Sequence, residues 1–111
     1  MKKIHLTSSI QLEEVLYESK SELVVIFKHS TRCSISSMAL NRIERGWDLD
    51  NVKFYYLDLL EYRDLSNEVA ERLGIIHESP QLIALENGAI IYSSSHNAIS
   101  LEDLKQVLQS N

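Results

Sequence analysis

Two short apolar runs, Leu82-Ile83-Ala84-Leu85 and Ala89-Ile90-Ile91-Tyr92, stand on either side of Asn87-Gly88. Asn-Gly between strand-like runs is the strongest short-range hairpin signal, because both turn residues must accept positive φ. Everything before that hairpin alternates. Ser8 or Ser9 caps a first helix with Ile10, Leu12, Val15 and Leu16 on one face. The run 23–27 is β-branched and aromatic and reads as a buried central strand. Ile35, Met38, Ala39, Ile43 and Trp47 form the apolar stripe of a second helix, with Gly46 near its end. The run 52–57 is a further strand. Asp64 or Ser66 opens a third helix through Val69, Ala70 and Leu73, and Gly74 closes it. After the hairpin, Ser100-Leu101-Glu102-Asp103 caps a last helix carrying Leu101, Leu104, Val107 and Leu108. A short strand at 4–6 is an optional first element. Helices and strands in alternation imply an α/β fold, a mostly parallel sheet covered on both faces. The closing hairpin makes that sheet mixed.

A chain of 111 residues predicts a single domain, 1–111, large enough to bury a core without staples. With 44% hydrophobic and 24% charged residues it has the composition of a soluble globular protein. Its formal net charge of −5 argues against nucleic-acid or anionic-membrane partners. No apolar run approaches the length of a membrane span, and no signal-peptide core follows Lys2 and Lys3. A lone cysteine closes no intrachain disulfide, so a cytoplasmic, reducing setting is expected.

That cysteine is Cys33, in Phe27-Lys28-His29-Ser30-Thr31-Arg32-Cys33-Ser34-Ile35-Ser36. A strand that runs through a short polar loop into a helix puts Cys33 at the helix N-terminus. There, unpaired N–H groups and the positive end of the helix dipole favour a thiolate. Ser36 stands where a two-cysteine redox motif carries its second sulfur, so Cys-x-x-Ser is a nucleophile without a resolving partner. A lone cysteine in a soluble protein is most often a small buried hydrophobe. Polar Ser30, Thr31, Arg32 and Ser34 around Cys33 argue otherwise. A free thiol is only a few per cent thiolate at neutral pH, and a helix terminus contributes about 0.3–1 kcal/mol, too little to reverse that. N–H groups of Ile35 and Ser36, the Ser36 hydroxyl and the Arg32 charge are the candidates for the rest.

The element order, with a cysteine after the first central strand, resembles the thioredoxin fold. So does Ser79-Pro80 ahead of Gln81-Leu82-Ile83-Ala84-Leu85-Glu86-Asn87-Gly88, like the thioredoxin stretch in which a cis-proline opens a strand ending at an Asn-Gly turn. Within that superfamily, Lys28-His29-Ser30-Thr31-Arg32-Cys33-Ser34-Ile35-Ser36 is similar to the motif of the YtxJ-like monothiol bacilliredoxins, Lys-His-Ser followed by Thr-Cys-Pro-Ile-Ser. The chain keeps Lys28, His29, Ser30, Thr31, Ile35 and Ser36. Arg32 stands just before the cysteine, and Ser34 replaces the usual proline and leaves an extra N–H near the sulfur.

The resemblance implies a monothiol thiol–disulfide oxidoreductase that removes bacillithiol from protein mixed disulfides. Bacillithiol would be its thiol co-substrate, and bacillithiolated proteins its clients. Cys33 would be the nucleophile, with Arg32, Ser34, Ile35 and Ser36 stabilising the thiolate. Lys28, His29 and Thr31 before the cysteine, Ser79 and Pro80 beside it, and His96 before the last helix are the expected substrate-binding residues. In that fold Pro80 would be cis and next to the sulfur, with the Ser79 backbone free to pair with a substrate strand. Each has a plainer explanation. Arg32 and His96 are solvated loop residues, Lys28 and His29 polar strand ends, Ser36 a first-turn hydroxyl, and Pro80 a strand opener. No metal is expected: His5, His29, Cys33, His77 and His96 show no ligand spacing. Glu61, Asp64, Glu68 and Glu71 read as a solvated helix face. Two other classes of function remain open, an iron–sulfur module of the monothiol glutaredoxin kind and a thioredoxin-like interaction domain with an inert cysteine. Within the leading class, glutathione is the alternative thiol.

Overall fold

In the computed structural model, which describes residues 1–109, the elements run β1 (Lys3–His5), α1 (Ser9–Glu18), β2 (Val24–His29), α2 (Ser34–Gly46), β3 (Lys53–Asp58), α3 (Arg63–Leu73), β4 (Gln81–Glu86), β5 (Ala89–Ser95) and α4 (Leu101–Gln109). A single 3-10 turn, His96–Ala98, joins β5 to α4. The five strands form one sheet in the order β1-β3-β2-β4-β5. β3 pairs in parallel with both β1 and β2, whereas β4 is antiparallel to β2 and to β5. The expected domain also took in residues 110 and 111, which lie outside the described residues.

Turn and cap chemistry explains where the elements stop. Asn87 and Gly88 take φ of 56° and 76°, the double left-handed conformation that a tight hairpin turn requires. The Ser8 hydroxyl accepts the Gln11 N–H at 3.1 Å and opens α1. Gly74, at φ 67°, closes α3 by donating to Glu71 O, while Ile75 N–H reaches Ala70 O. The Ser100 hydroxyl accepts from Asp103 N–H and caps α4.

β2 is buried at all six positions, as befits the central strand. Its side chains alternate between two cores. Val24 and Ile26 join Leu6, Leu12, Val15, Leu57, Val69, Ile83 and Leu85 under α1 and α3. Val25 and Phe27 join Ala39, Ile43, Phe54, Leu82, Ile99 and Leu104 under α2 and α4. Trp47, just past α2, packs edge-on against Phe54 with centroids 5.2 Å apart. The central strand thus ends with layers above and below it, and the loop to α2 starts from a rigid base.

Four expectations shift. α3 begins at Arg63 with Tyr62 as its N-cap, so neither Asp64 nor Ser66 opens it. Ile10 is exposed, and the buried face of α1 is carried by Leu12 and Val15. β2 extends two residues past Phe27, which takes Lys28 and His29 out of the loop and into the strand. On α2 the buried positions are Ser36, Ala39 and Ile43, while Met38 is 60% exposed and Ile35 lies at the surface. Ala39 and Ile43 lie on the buried face as the apolar stripe predicts, while Ser36 rather than Ile35 fills its first turn, because a buried serine does not register in a count of apolar side chains.

Candidate active site

Cys33 is the N-cap of α2, in extended conformation (φ −109°, ψ 120°), and is half-buried. Its N–H reaches back to Ser30 O at 3.1 Å, and its carbonyl accepts Ser37 N–H at 3.1 Å. The sulfur makes no cap hydrogen bond. The N–H groups of Ser34, Ile35 and Ser36 open the helix, and no side chain among the described residues accepts from them. Thr31, Arg32 and Ser34 are exposed around the sulfur, and Ile35 is 37% exposed.

Ser36 is fully buried, and its hydroxyl is engaged at the end of β2. It accepts Ser30 N–H at 3.0 Å and shares a hydrogen bond of 2.6 Å with His29 Nδ1. No hydrogen bond joins it to Cys33 among the described residues. The hydroxyl thus ties the first turn of α2 to the central strand. His29 lies 5.5 Å from the Tyr56 ring and is stacked with Phe27. Burial pushes the imidazole below its ordinary pKa, with Lys3 adding to the effect and the Asp58 and Glu44 carboxylates opposing it. His29 is therefore a neutral ring at neutral pH.

Lys28 faces the opposite core. Its side chain is fully buried, and Nζ donates to Ser66 O on α3 at 2.9 Å and meets His77 Nδ1 at 3.0 Å. Burial pushes the ammonium down to about 8. The partner imidazole is also lowered, first by burial and then by the Lys28 and Arg63 charges, against Glu78. The expected substrate-binding role of Lys28 and His29 is corrected here. Burial of both head groups closes them to a thiol's carboxylates, and each is spent on internal hydrogen bonds.

Strand pairing brings the remaining residues to the same end of the sheet. Lys28 lies opposite Gln81, which places Pro80 beside the end of β2, from which the chain turns to Cys33. The Ser79–Pro80 peptide is cis. Pro80 is buried, its carbonyl accepts His96 N–H at 3.1 Å, and the 3-10 turn packs on α2. His96 itself is exposed, at φ 54°. The Ser79 backbone makes no hydrogen bond to another described residue. Cys33, Ser79, Pro80 and His96 are thus gathered at the C-terminal edge of β2 and β5.

Sequence reasoning reads Ser66 only as a helix opener and does not single out Gln81 or the contact of His77 with Lys28. A signal existed for Lys28. Strand period two puts Val24, Ile26 and Lys28 on one face, and two of the three are core residues. No group of three or more His, Cys, Asp or Glu side chains converges as a metal site among the described residues. No helix among them is long and apolar enough to cross a membrane.

Comparison with known proteins is consistent with this geometry. Residues 4–104 match the family profile of monothiol bacilliredoxin BrxC. Among solved structures, a protein with a thioredoxin fold, proposed to be an oxidoreductase, is 31% identical. It superposes with a TM-score of 0.84 over 96% of this chain and 93% of its own. The thioredoxin Mala s 13 of Malassezia sympodialis is 22% identical, with a TM-score of 0.74 over 97% and 90%. Schistosoma mansoni thioredoxin is 19% identical, with a TM-score of 0.75 over 98% and 94%. The last two likenesses are of fold.

Proposed function

The chain belongs to the monothiol bacilliredoxin family, and we propose that it removes bacillithiol from client proteins by monothiol exchange at Cys33. The observation that carries this is the lone half-buried sulfur at a helix start, with a buried serine at the resolving position. The Cys33 thiolate attacks the bacillithiol sulfur of a client mixed disulfide. The client sulfur leaves as thiolate, and a Cys33–bacillithiol disulfide forms. A second bacillithiol thiolate then attacks that disulfide. Bacillithiol disulfide departs and Cys33 is restored, so the electron pairs balance. Ser36 has no sulfur to resolve the intermediate, which persists until an external thiol arrives.

Three features support the assignment of roles. The open N–H groups of Ser34, Ile35 and Ser36 suit a developing thiolate. Arg32 and Thr31 are exposed at the rim and positioned to meet an anionic thiol or a client. The unpaired Ser79 backbone beside Pro80 suits an extended client segment that adds as a short strand. His96 borders the same edge. We further read the chain as one thioredoxin-like unit acting in a reducing, cytoplasmic setting.

The test is to incubate the reduced protein with a bacillithiolated client and follow both by intact mass. The expected result is a freed client thiol and a bacillithiol adduct on Cys33. A client that keeps its adduct overturns the proposal. Equal turnover of a glutathionylated client would reassign the thiol.

A further inference from the structure

We propose that Lys28 is a positioning residue of the exchange site, whose buried ammonium pins the 75–79 segment and so holds the Ser79 backbone ready for a client strand. Its part in client capture rests on the exchange function proposed for Cys33.

Lys28 has no exposed surface and forms no ion pair among the described residues. Its two partners are neutral acceptors on two different segments, Ser66 O in α3 and His77 Nδ1 in the loop. The Ser66 hydroxyl lies 3.4 Å from that same ring nitrogen. An ammonium buried without a carboxylate is costly, and an apolar side chain of the same length would fill the space without that cost. Fold stability alone therefore does not account for a lysine here.

What it does is visible in the loop. Gln81, the register partner of Lys28 across β2 and β4, grips the same segment. Its Nε2 donates to Ile76 O at 3.1 Å, and its Oε1 accepts Glu78 N–H at 3.4 Å. Ile75 N–H is held by Ala70 O. Residues 75 to 78 are thus each fixed by backbone or ring, and Ser79 follows them with its own backbone unpaired. Among the described residues, the His77 ring is the one side chain in this segment bonded to the core strand, and Lys28 is what it bonds. A chain that must present one free N–H and one free C=O at a set angle needs this anchor just upstream.

The experiment uses Lys28→Met, His77→Leu and His77→Asn, the last of which keeps an acceptor near the Nδ1 position. Amide exchange at Ile75 and Glu78, whose N–H groups are held by Ala70 O and Gln81 Oε1, should quicken about tenfold in Lys28→Met and His77→Leu, and stay near wild type in His77→Asn. With a bacillithiolated client, KM should rise about tenfold in the first two, with kcat and iodoacetamide alkylation of Cys33 within about twofold of wild type. Wild-type loop protection in Lys28→Met overturns the inference. So does equal loss in both His77 variants, which would assign the effect to ring packing. Should Lys28→Met fail to fold, the His77 pair decides alone. If the wild-type protein leaves bacillithiolated clients untouched, the exchange function fails, while the amide-exchange comparison still judges Lys28.

Discussion

Lys28 and His29 are neighbours on one strand, both polar and both buried, yet they serve opposite faces of the sheet in different charge states. Lys28 enters the core under α1 and α3 as a cation with two neutral acceptors. His29 enters the core under α2 and α4 as a neutral ring bonded to one hydroxyl. Each anchors one half of the proposed exchange site. Through His77, Lys28 holds the loop that leads to Ser79 and Pro80. Through Ser36, His29 holds the first turn of the helix that Cys33 caps. Their costs differ as well. A neutral imidazole with a hydrogen-bond partner is cheap to bury, whereas an ammonium without a counter-ion is not. The cheap anchor serves the scaffold, and the costly one holds the segment proposed to present the Ser79 backbone to a client.

The largest expected effect separates the chemistry from both anchors. Cys33→Ser should reduce client release to background while leaving the melting temperature close to wild type, since Cys33 Sγ makes no cap hydrogen bond. A variant with residual turnover would mean that the nucleophile lies elsewhere.

Next, Ser36→Ala removes the partner of His29 Nδ1 and of Ser30 N–H at once. Leaving buried polar groups unpaired costs about 1–3 kcal/mol, or roughly 4–8 °C in melting temperature per kcal/mol for a domain of this size. Lys28→Met should lose less, because relief of the buried ammonium's desolvation offsets the donor withdrawn from Ser66 O and His77 Nδ1. If the two variants melt alike, the contrast between a structural and a functional anchor fails.

Ser36→Cys should change the chemistry without adding a residue. A thiol there sits three residues after Cys33 with His29 as a neighbouring base, and it should resolve the Cys33 mixed disulfide internally. Intact mass would show the adduct disappear and two hydrogens lost. An adduct that persists would mean that a side chain at position 36 stays turned toward β2.

The pH dependence of stability sharpens the same comparison. The Lys28 pKa is lowered to about 8 from an ordinary 10.5. Between those values the unfolded chain binds the proton and the folded chain does not, so stability should rise with pH across that window, by on the order of 1–3 kcal/mol. Above about 10 the buried Tyr55, whose pKa burial and the Glu18 carboxylate raise, opposes the gain. The lowered His29 and His77 pKa values work at the other end. As pH falls through about 6.5 the unfolded histidines take up protons first, and stability declines. Urea titrations at stepped pH should show the alkaline rise vanish in Lys28→Met and the acid decline persist there.

The smallest effect belongs to Arg32. It is exposed, and a solvated cation near a thiolate is worth a few tenths of a kcal/mol, so Arg32→Ala should slow Cys33 alkylation by about twofold. A tenfold loss would promote Arg32 from the rim to the site itself.

Much of this protein could be read from the chain, because the signals are local. Asn87-Gly88 specifies a turn through backbone φ, Gly74 and Ser100 specify helix ends, and apolar periodicity separates strand from helix. The alternation of those elements carries the α/β order, and the residues around Cys33 carry the family. What the chain alone did not reveal depends on which face a polar residue occupies and what lies across the space. Lys28 and His29 look like a polar strand end in one dimension. Only the sheet, with α3 on one side and α2 on the other, buries them and gives them Ser66, His77 and Ser36 as partners. The Lys28–His77 pair is 49 residues apart in sequence. Such a contact is made by packing, since no local propensity spans that distance, and the anchoring of the exchange site was therefore decided by tertiary structure.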